Sequence, residues 1–205
     1  MKLSVAYLCF GLLVFVFIAD SCSTKEEVAL SDPTLIEIQR IHPAGEAVAS
    51  DLMKSLKQEL QNALGEGDFA GAVETCKGKA MPLTEEILQS NFRILDLKRV
   101  TTRPRNPENA PDRIELAALD YFRSRIENGQ DLPPSYIQKA TSGSEVWFNF
   151  YKPVYTAGLC LTCHGEPDRM SEDVLTTIDE LYPNDKATGY RNGDFRGLIK
   201  VSLKE

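Results

Sequence analysis

The chain is 205 residues long, with 23 Lys and Arg against 30 Asp and Glu, a net charge of −7, and 42% hydrophobic residues. That balance, with no basic stripe or Lys/Arg cluster, argues against nucleic acid or an anionic lipid surface as partner. The length suits one domain with a real core, and neither an internal repeat nor a low-complexity segment interrupts it.

In chain order, residues 1–21 carry Lys2 and then an almost unbroken apolar run from Leu3 to Ala19. The pattern reads as a signal peptide and is set aside from fold reasoning. The run lies near the lower limit for a spanning helix, so an uncleaved anchor is the less favoured alternative. Ala19-Asp20-Ser21-Cys22 puts Cys22 where a bacterial lipoprotein is cleaved and lipid-modified, although Asp20 departs from the usual pattern. Residues 22–32 read as a polar tether and 33–205 as a single domain. The expected location is the periplasmic side of a bacterial membrane, with the lipid on Cys22 as the sole membrane attachment. If Cys22 is clipped away, a soluble periplasmic protein is the alternative.

From Pro33, the residues Leu35, Ile38 and Ile41 recur at helical spacing; the pattern breaks at His42-Pro43 and resumes as Val48, Leu52, Leu56, Leu60 and Leu64. Gly65 and Gly67 end it. Asp68 is a fair N-cap for a second helix with Phe69, Val73, Cys76 and Ala80 on one face. Pro82 interrupts that helix, and Thr84 to Ser90 predicts a further short one. Phe92 to Val100 alternates and predicts a strand. A loop punctuated by Pro104, Pro107 and Pro111 follows, then an amphipathic helix over Ile114 to Ile126. Val146 to Tyr151 is aromatic and predicts a strand. Glu172 to Leu181 reads as a short helix, and Gly197 to Leu203 closes the chain as a strand. Helices leading into a small antiparallel sheet predict an α+β architecture.

Between the aromatic strand and the tail, residues 160–165 read Cys-Leu-Thr-Cys-His-Gly. C-x-x-C-H is the signature of covalently attached c-type haem. Cys160 and Cys163 would form thioethers to the two haem vinyl groups, and His164 would be the proximal iron ligand. Other readings fit less well. A thioredoxin-like pair needs its first Cys at the start of a helix, but Gly165 and Pro167 follow at once. A tetrahedral zinc site needs two more ligands, for which only Cys76 and His42 remain. A plain disulfide leaves His164 unexplained.

The position of the motif also discriminates. Small cytochromes c carry it near the N-terminus, and helix-bundle cytochromes carry it close to the end of a last helix. Here a turn-rich tail ending in a strand follows. The matching pieces are Ala72-Val73-x-x-Cys76, Arg105-Asn106-Pro107-x-Asn109-x-Pro111, Tyr151-x-Pro153, the haem motif, Tyr182-Pro183-x-Asp185-x-Ala187-x-Gly189-Tyr190, and Gly193-Asp194-x-x-Gly197. In these the chain resembles a family of exported bacterial single-haem c-type proteins with a PAS-like sensor fold, long catalogued as a domain of unknown function. The resemblance covers roughly residues 35–203. It implies a PAS-like antiparallel sheet with N-terminal helices packed around one covalently bound haem c. The extended Glu166–Leu181 segment departs from it.

The second axial ligand has several candidates: Cys76, His42, Met53, Met81, Met170 or an open position. His42 beside a helix break reads as a capping or surface residue. The methionines read as filler, with Met170 the best placed. Cys76 reads either as a small buried hydrophobe or as an iron-bound thiolate. In the resembling family the Cys of this helix lies against the distal haem face, which implies Cys76 as the second ligand. A His/thiolate pair favours ferric iron and a low potential. Arg103 and Arg105 are candidates to pair with the haem propionates, or else solvated loop residues.

The expected function is a redox- or gas-responsive sensor module, with a periplasmic electron-transfer cytochrome as the alternative. Its expected partners are a redox protein or a membrane signalling protein, and a diatomic gas. No catalytic role is expected, because only His42 could serve as a distal base.

Overall fold

The computed structural model describes residues 27–65 and 67–204. The signal peptide read over 1–21 and the lipidation residue Cys22 lie outside the described residues. The elements are β1 (Ala29–Ser31), α1 (Leu35–Gly65), α2 (Phe69–Ser90), β2 (Ile94–Val100), α3 (Arg113–Glu127), β3 (Tyr136–Ser142), β4 (Glu145–Tyr155), α4 (Leu161–His164), α5 (Glu172–Leu181) and β5 (Phe195–Lys204). The five strands form one sheet in the order β1-β3-β4-β5-β2, with every neighbouring pair antiparallel. The fold is α+β, a PAS-like antiparallel sheet with the N-terminal helices packed on it. Among the described residues no helix is long and apolar enough to cross a membrane.

Strand alternation sorts the side chains into two layers. On one face Phe148 and Phe150 of β4, Ile199, Val201 and Leu203 of β5, and Leu97 of β2 pack under Ile41, Ala49 and Leu52 of α1. On the other, Tyr151 and Leu198 pack with Val100 against Ala118, Leu119 and Phe122 of α3. α1 ends at Gly65 as expected, but the prolines do not break the long helices as the pattern suggested. α1 runs unbroken through Pro43, and α2 runs through Pro82 into the segment read as a separate helix. An interior proline costs about 3 kcal/mol. Burying Ile41, Ala49 and Leu52 against the sheet outweighs that cost, at roughly 1.5–3 kcal/mol for each large side chain. Gly45 lets α1 approach the sheet closely, since a Cβ there would meet the Phe150 ring at 2.3 Å.

Three strand assignments differ from expectation. Residues 29–31, within the segment read as a tether, form the edge strand β1 on β3. β3 itself was not foreseen, because it is polar: Gln138 is buried yet satisfied, accepting from the Tyr151 hydroxyl at 3.1 Å. β4 continues past Tyr151 through Pro153. That proline is tolerated because β3 ends opposite Tyr151, leaving Pro153 paired only with β5.

A buried charge cluster ties α3 to the sheet. Glu115, 1% exposed, accepts from Lys98 and Lys200 Nζ at 2.8 Å each and from the Asp112 backbone N–H at 2.9 Å, in a capping box. Burial alone would raise the Glu115 pKa, but the bonds from Lys200, Lys98 and Asp112 outweigh it and hold the carboxyl below its ordinary value of 4.5. Its contribution is therefore complete above about pH 4.5 and is lost as the pH falls through the lower folded value. Glu115→Gln should leave Lys98 without a carboxylate and Lys200 with Asp96 alone, and destabilise the protein by about 3–5 kcal/mol. A lower urea midpoint at unchanged m-value, with a weaker acid limb, would record it.

Candidate cofactor site

The sequence from Thr156 to Gly165 leaves β4 and turns through two short helical segments. Cys160 N–H donates to Ala157 O at 2.8 Å, and Gly165 N–H donates to Leu161 O at 2.9 Å. Gly165 is required by close approach, because a Cβ would lie 2.5 Å from the Leu161 carbonyl oxygen. α4 has only 4 residues, too short to act as the helix of a thiol–disulfide centre.

These turns form one wall of a cavity of about 490 Å³. Cys160, Cys163 and His164 lie on that wall. Val73, Cys76 and Ala80 of α2 line it as well, together with Arg99 of β2, Arg105 and Asn109 of the proline-rich loop, Tyr182, and Arg196 of β5. A smaller cavity of about 200 Å³ adjoins it and shares Arg99, Asn109, Cys160, His164 and Arg196. The size lies within the range of about 300–1,000 Å³ that small molecules and cofactors occupy. The motif and Cys76, far apart in sequence, are thus brought to a common cavity.

The tail clamps the motif from behind. Gly189 N–H donates to Gly165 O at 2.7 Å, and Tyr190 N–H donates to His164 O at 2.9 Å. His164 Nδ1 lies 2.7 Å from the Ala187 carbonyl. A carbonyl can only accept, so Nδ1 carries the proton and Nε2 keeps its lone pair free. Burial foremost, then the Arg105 and Arg196 charges, push the His164 pKa down to about 3. The imidazole is therefore held neutral, in the tautomer that binds a metal through Nε2.

Arg105 braces the same clamp. Its guanidinium donates to both Asp185 carboxylate oxygens, at 3.2 and 3.1 Å, and to the Cys163 carbonyl at 2.5 Å. Asp185 Oδ1 in turn accepts from the Ala187 N–H at 3.0 Å. Arg105 therefore lines the cavity with its charge already paired. Arg103 does not line it. Its side chain stacks on the Tyr190 ring at 4.1 Å and donates to the carbonyls of Lys186 and Thr188. The Arg103 guanidinium is thus placed against the tail rather than in the cavity lining.

Cys76 opens into the cavity, yet enough protein surrounds the thiol that burial pushes its pKa up against the lowering influence of Arg99 and Arg105. Cys163 is raised in the same way, by burial first. The other ligand candidates are placed differently. His42 packs edge-on to Phe150 at 5.6 Å, away from the cavity. Met170 belongs to an apolar cluster with Val73, Val174 and Ile178. Met81 lines the larger cavity and Met53 the smaller.

Two residues that line both cavities, Arg99 and Arg196, were missed. A signal for Arg99 existed: it falls two positions after Leu97, at an apolar-face position of an alternating strand. For Arg196 there was none, because β5 kinks at Gly197, whose φ is +145°.

Among the described residues no three His, Cys, Asp or Glu side chains converge to hold a bare metal ion. The imidazole and thiols are instead spread around a cavity. That suits a flat macrocycle carrying its own metal, anchored at its edge and ligated on its faces.

In the metal-free chain the neutral His164 should show the Nδ1–H tautomer by nitrogen NMR at pH 5. An unfolded histidine takes up its proton near pH 6.5, so that chain should lose stability as the pH falls from about 6.5 toward about 3. His164→Gln should remove this part of the slope in denaturation midpoints.

Comparison with solved structures finds the crystal structure of the cyanobacterial haem protein Tll0287, with a TM-score of 0.53 at 21% identity, covering 84% of this chain and 98% of that one. At that identity the likeness speaks to the fold. No curated protein matches the chain. A family model described as Tll0287-like matches residues 34–204, from the first helix through the tail that clamps His164 to the last strand. The chain belongs to the Tll0287-like family.

Proposed function

We propose that the chain is an exported protein holding one haem c, which serves as a redox- or gas-responsive sensor module. The observation that carries this reading is the shared cavity of Cys160, Cys163, Cys76 and a His164 whose Nε2 is free. Cys160 and Cys163 are the thioether anchors. Their thiols would add to the cofactor's two vinyl groups and hold it covalently. His164 is the proximal ligand, oriented by Ala187. When bound, the haem supplies a one-electron iron centre that can also take a small neutral ligand.

Cys76, which lines the same cavity, would supply the second protein ligand as a thiolate in this reading. Burial pushes the pKa of the free thiol up, so the thiolate would be readily protonated and lost once it leaves the iron. A ligand that can be released on reduction, or displaced by a diatomic gas, suits a switch. Arg105 and Asp185 link the Cys163 carbonyl and the Ala187 N–H, and so couple the motif to the tail. The module is non-catalytic and passes its state to a redox protein or a membrane signalling protein. Nucleic acid plays no part. It works on the periplasmic side of a bacterial membrane, tethered through a lipid on Cys22. The signal-like run from Leu3 to Ala19 and the export that c-type haem attachment requires support that placement.

A second reading, an electron-transfer cytochrome, draws support from Leu159. It lines the cavity and is 41% exposed, which leaves a path for outer-sphere transfer to a partner.

Expression with a haem-attachment system should give the pyridine haemochrome of a thioether-linked haem, and its absence would sink the proposal. Cys76→Ala should change the ferric absorption and EPR spectra; unchanged spectra would exclude thiol ligation. Carbon monoxide added to the reduced protein should bind rapidly and tightly. Indifference to the gas, with fast electron exchange, would decide for the carrier.

A further inference from the structure

Arg99 and Arg196 reach the cavity without a carboxylate to meet them. Both line the larger and the smaller cavity, at the boundary the two share. Among the described residues neither takes part in an ion pair. No Asp or Glu lines either cavity, although the chain as a whole carries a net charge of −7. Of the other cations of the wall, Arg105 is ion-paired and Lys77 is exposed to solvent. Arg105 is paired with Asp185, and Lys77 donates to the Leu181 carbonyl at 3.3 Å beside the Tyr182 ring.

The contacts Arg196 does make are to neutral groups. Its Nη1 donates to Thr101 Oγ1 and Arg103 O at 3.0 Å each and to the Tyr190 hydroxyl at 3.3 Å. The Arg99 side chain makes no hydrogen bond among the described residues. The groups acting on it in the haem-motif cavity are the Cys76 thiol from α2, the Tyr182 hydroxyl from the tail, and Arg196 itself, while on another side Arg99 lines a separate cavity with Glu85, Asp96 and Glu108, none of them ion-paired to it. Two partly desolvated guanidinium groups close together on one wall are costly, because burial removes hydration and only the Asp185 carboxylate, itself paired with Arg105, acts on Arg196. The arrangement is complete only when an anion enters. Arginine forks match carboxylates in two-point geometry, and two arginines match a ligand with two carboxylates.

We propose that Arg99 and Arg196 are the anchors for the two propionate groups of the cofactor. The inference rests on the haem reading above and replaces Arg103 and Arg105 in that role. Thioethers at Cys160 and Cys163 hold one edge of the macrocycle, and the two arginines hold its carboxylate-bearing edge. Both are positioning residues. They fix the tilt of the ring relative to His164 and Cys76 and neutralise charge close to the iron.

The test uses the holoprotein, with redox titrations from pH 5 to pH 8. In Arg99→Gln a cation near the iron is lost and one propionate is left unpaired, and both changes favour ferric iron. The ferric/ferrous equilibrium constant should shift roughly tenfold toward ferric, about 59 mV for one electron. The midpoint should also acquire a pH dependence as the unpaired propionate titrates, and Arg99→Lys should restore most of both effects. Removing Arg99 costs the apo fold no hydrogen bond. Arg196→Lys, which keeps the charge while losing the fork, provides a second variant with a smaller shift in the same direction. Inorganic phosphate added to the wild-type protein should leave the midpoint unchanged, because both cations are already occupied.

An unchanged midpoint in Arg99→Gln overturns the assignment. So does a shift identical at every pH, which would mean a bare charge effect without propionate contact, or a phosphate-dependent shift in the wild type. Failure of the haem reading is separate and visible earlier, as a wild-type chain with no haemochrome.

Discussion

The hydrogen bond between His164 Nδ1 and the Ala187 carbonyl is the constraint on which the site depends. It sets the tautomer, leaves Nε2 available and fixes the ring plane, three things a metal-binding histidine requires at once. The bond exists because the tail is strapped to the motif by two further backbone bonds, from Gly189 to Gly165 and from Tyr190 to His164. The strap in turn is held by Asp185, which accepts from Ala187 and pairs with Arg105, and by Arg103 stacked on Tyr190. A short motif of 4 helical residues could not hold an imidazole in place by itself.

The rest of the fold serves to bring that clamp opposite α2. The sheet is buried on both faces, with α1 over one and α3 over the other. The Glu115 cluster pins α3 by two lysines from β2 and β5, so the layer behind the site resists sliding. β2 then delivers Arg99, and β5 delivers Arg196 just before the kink at Gly197, a position whose φ of +145° favours glycine. The outcome is a cavity whose charged wall is cationic inside an acidic protein.

Much of this was legible beforehand, for identifiable reasons. The motif at residues 160–165 reports local chemistry that no packing can alter, and Asp68 and Glu172–Leu181 announce their helices through capping and periodicity. What misled was also local. Pro43 and Pro82 look like breaks, because the cost of an interior proline is visible in sequence while the burial that offsets it is not. β3 was hidden because Gln138 is polar in sequence and becomes compatible with burial only through the Tyr151 hydroxyl on the neighbouring strand. Arg103 and Arg105 sit two residues apart in the same loop and look equivalent. One is turned to the tail by Tyr190 and the other is locked to Asp185, a partner 80 residues away.

The amino-acid sequence by itself determined the Cys160–His164 motif, the helical thiol at Cys76, the α+β class and the net negative charge. These follow from residue identity and short-range spacing. Only the tertiary structure decided which nitrogen of His164 is free, that Cys76 shares its cavity, and which arginines line it outside any ion pair among the described residues. Each of those depends on groups distant along the chain, whose desolvation and pairing arise only once the tail folds back on the motif and the two strands carry Arg99 and Arg196 to one wall.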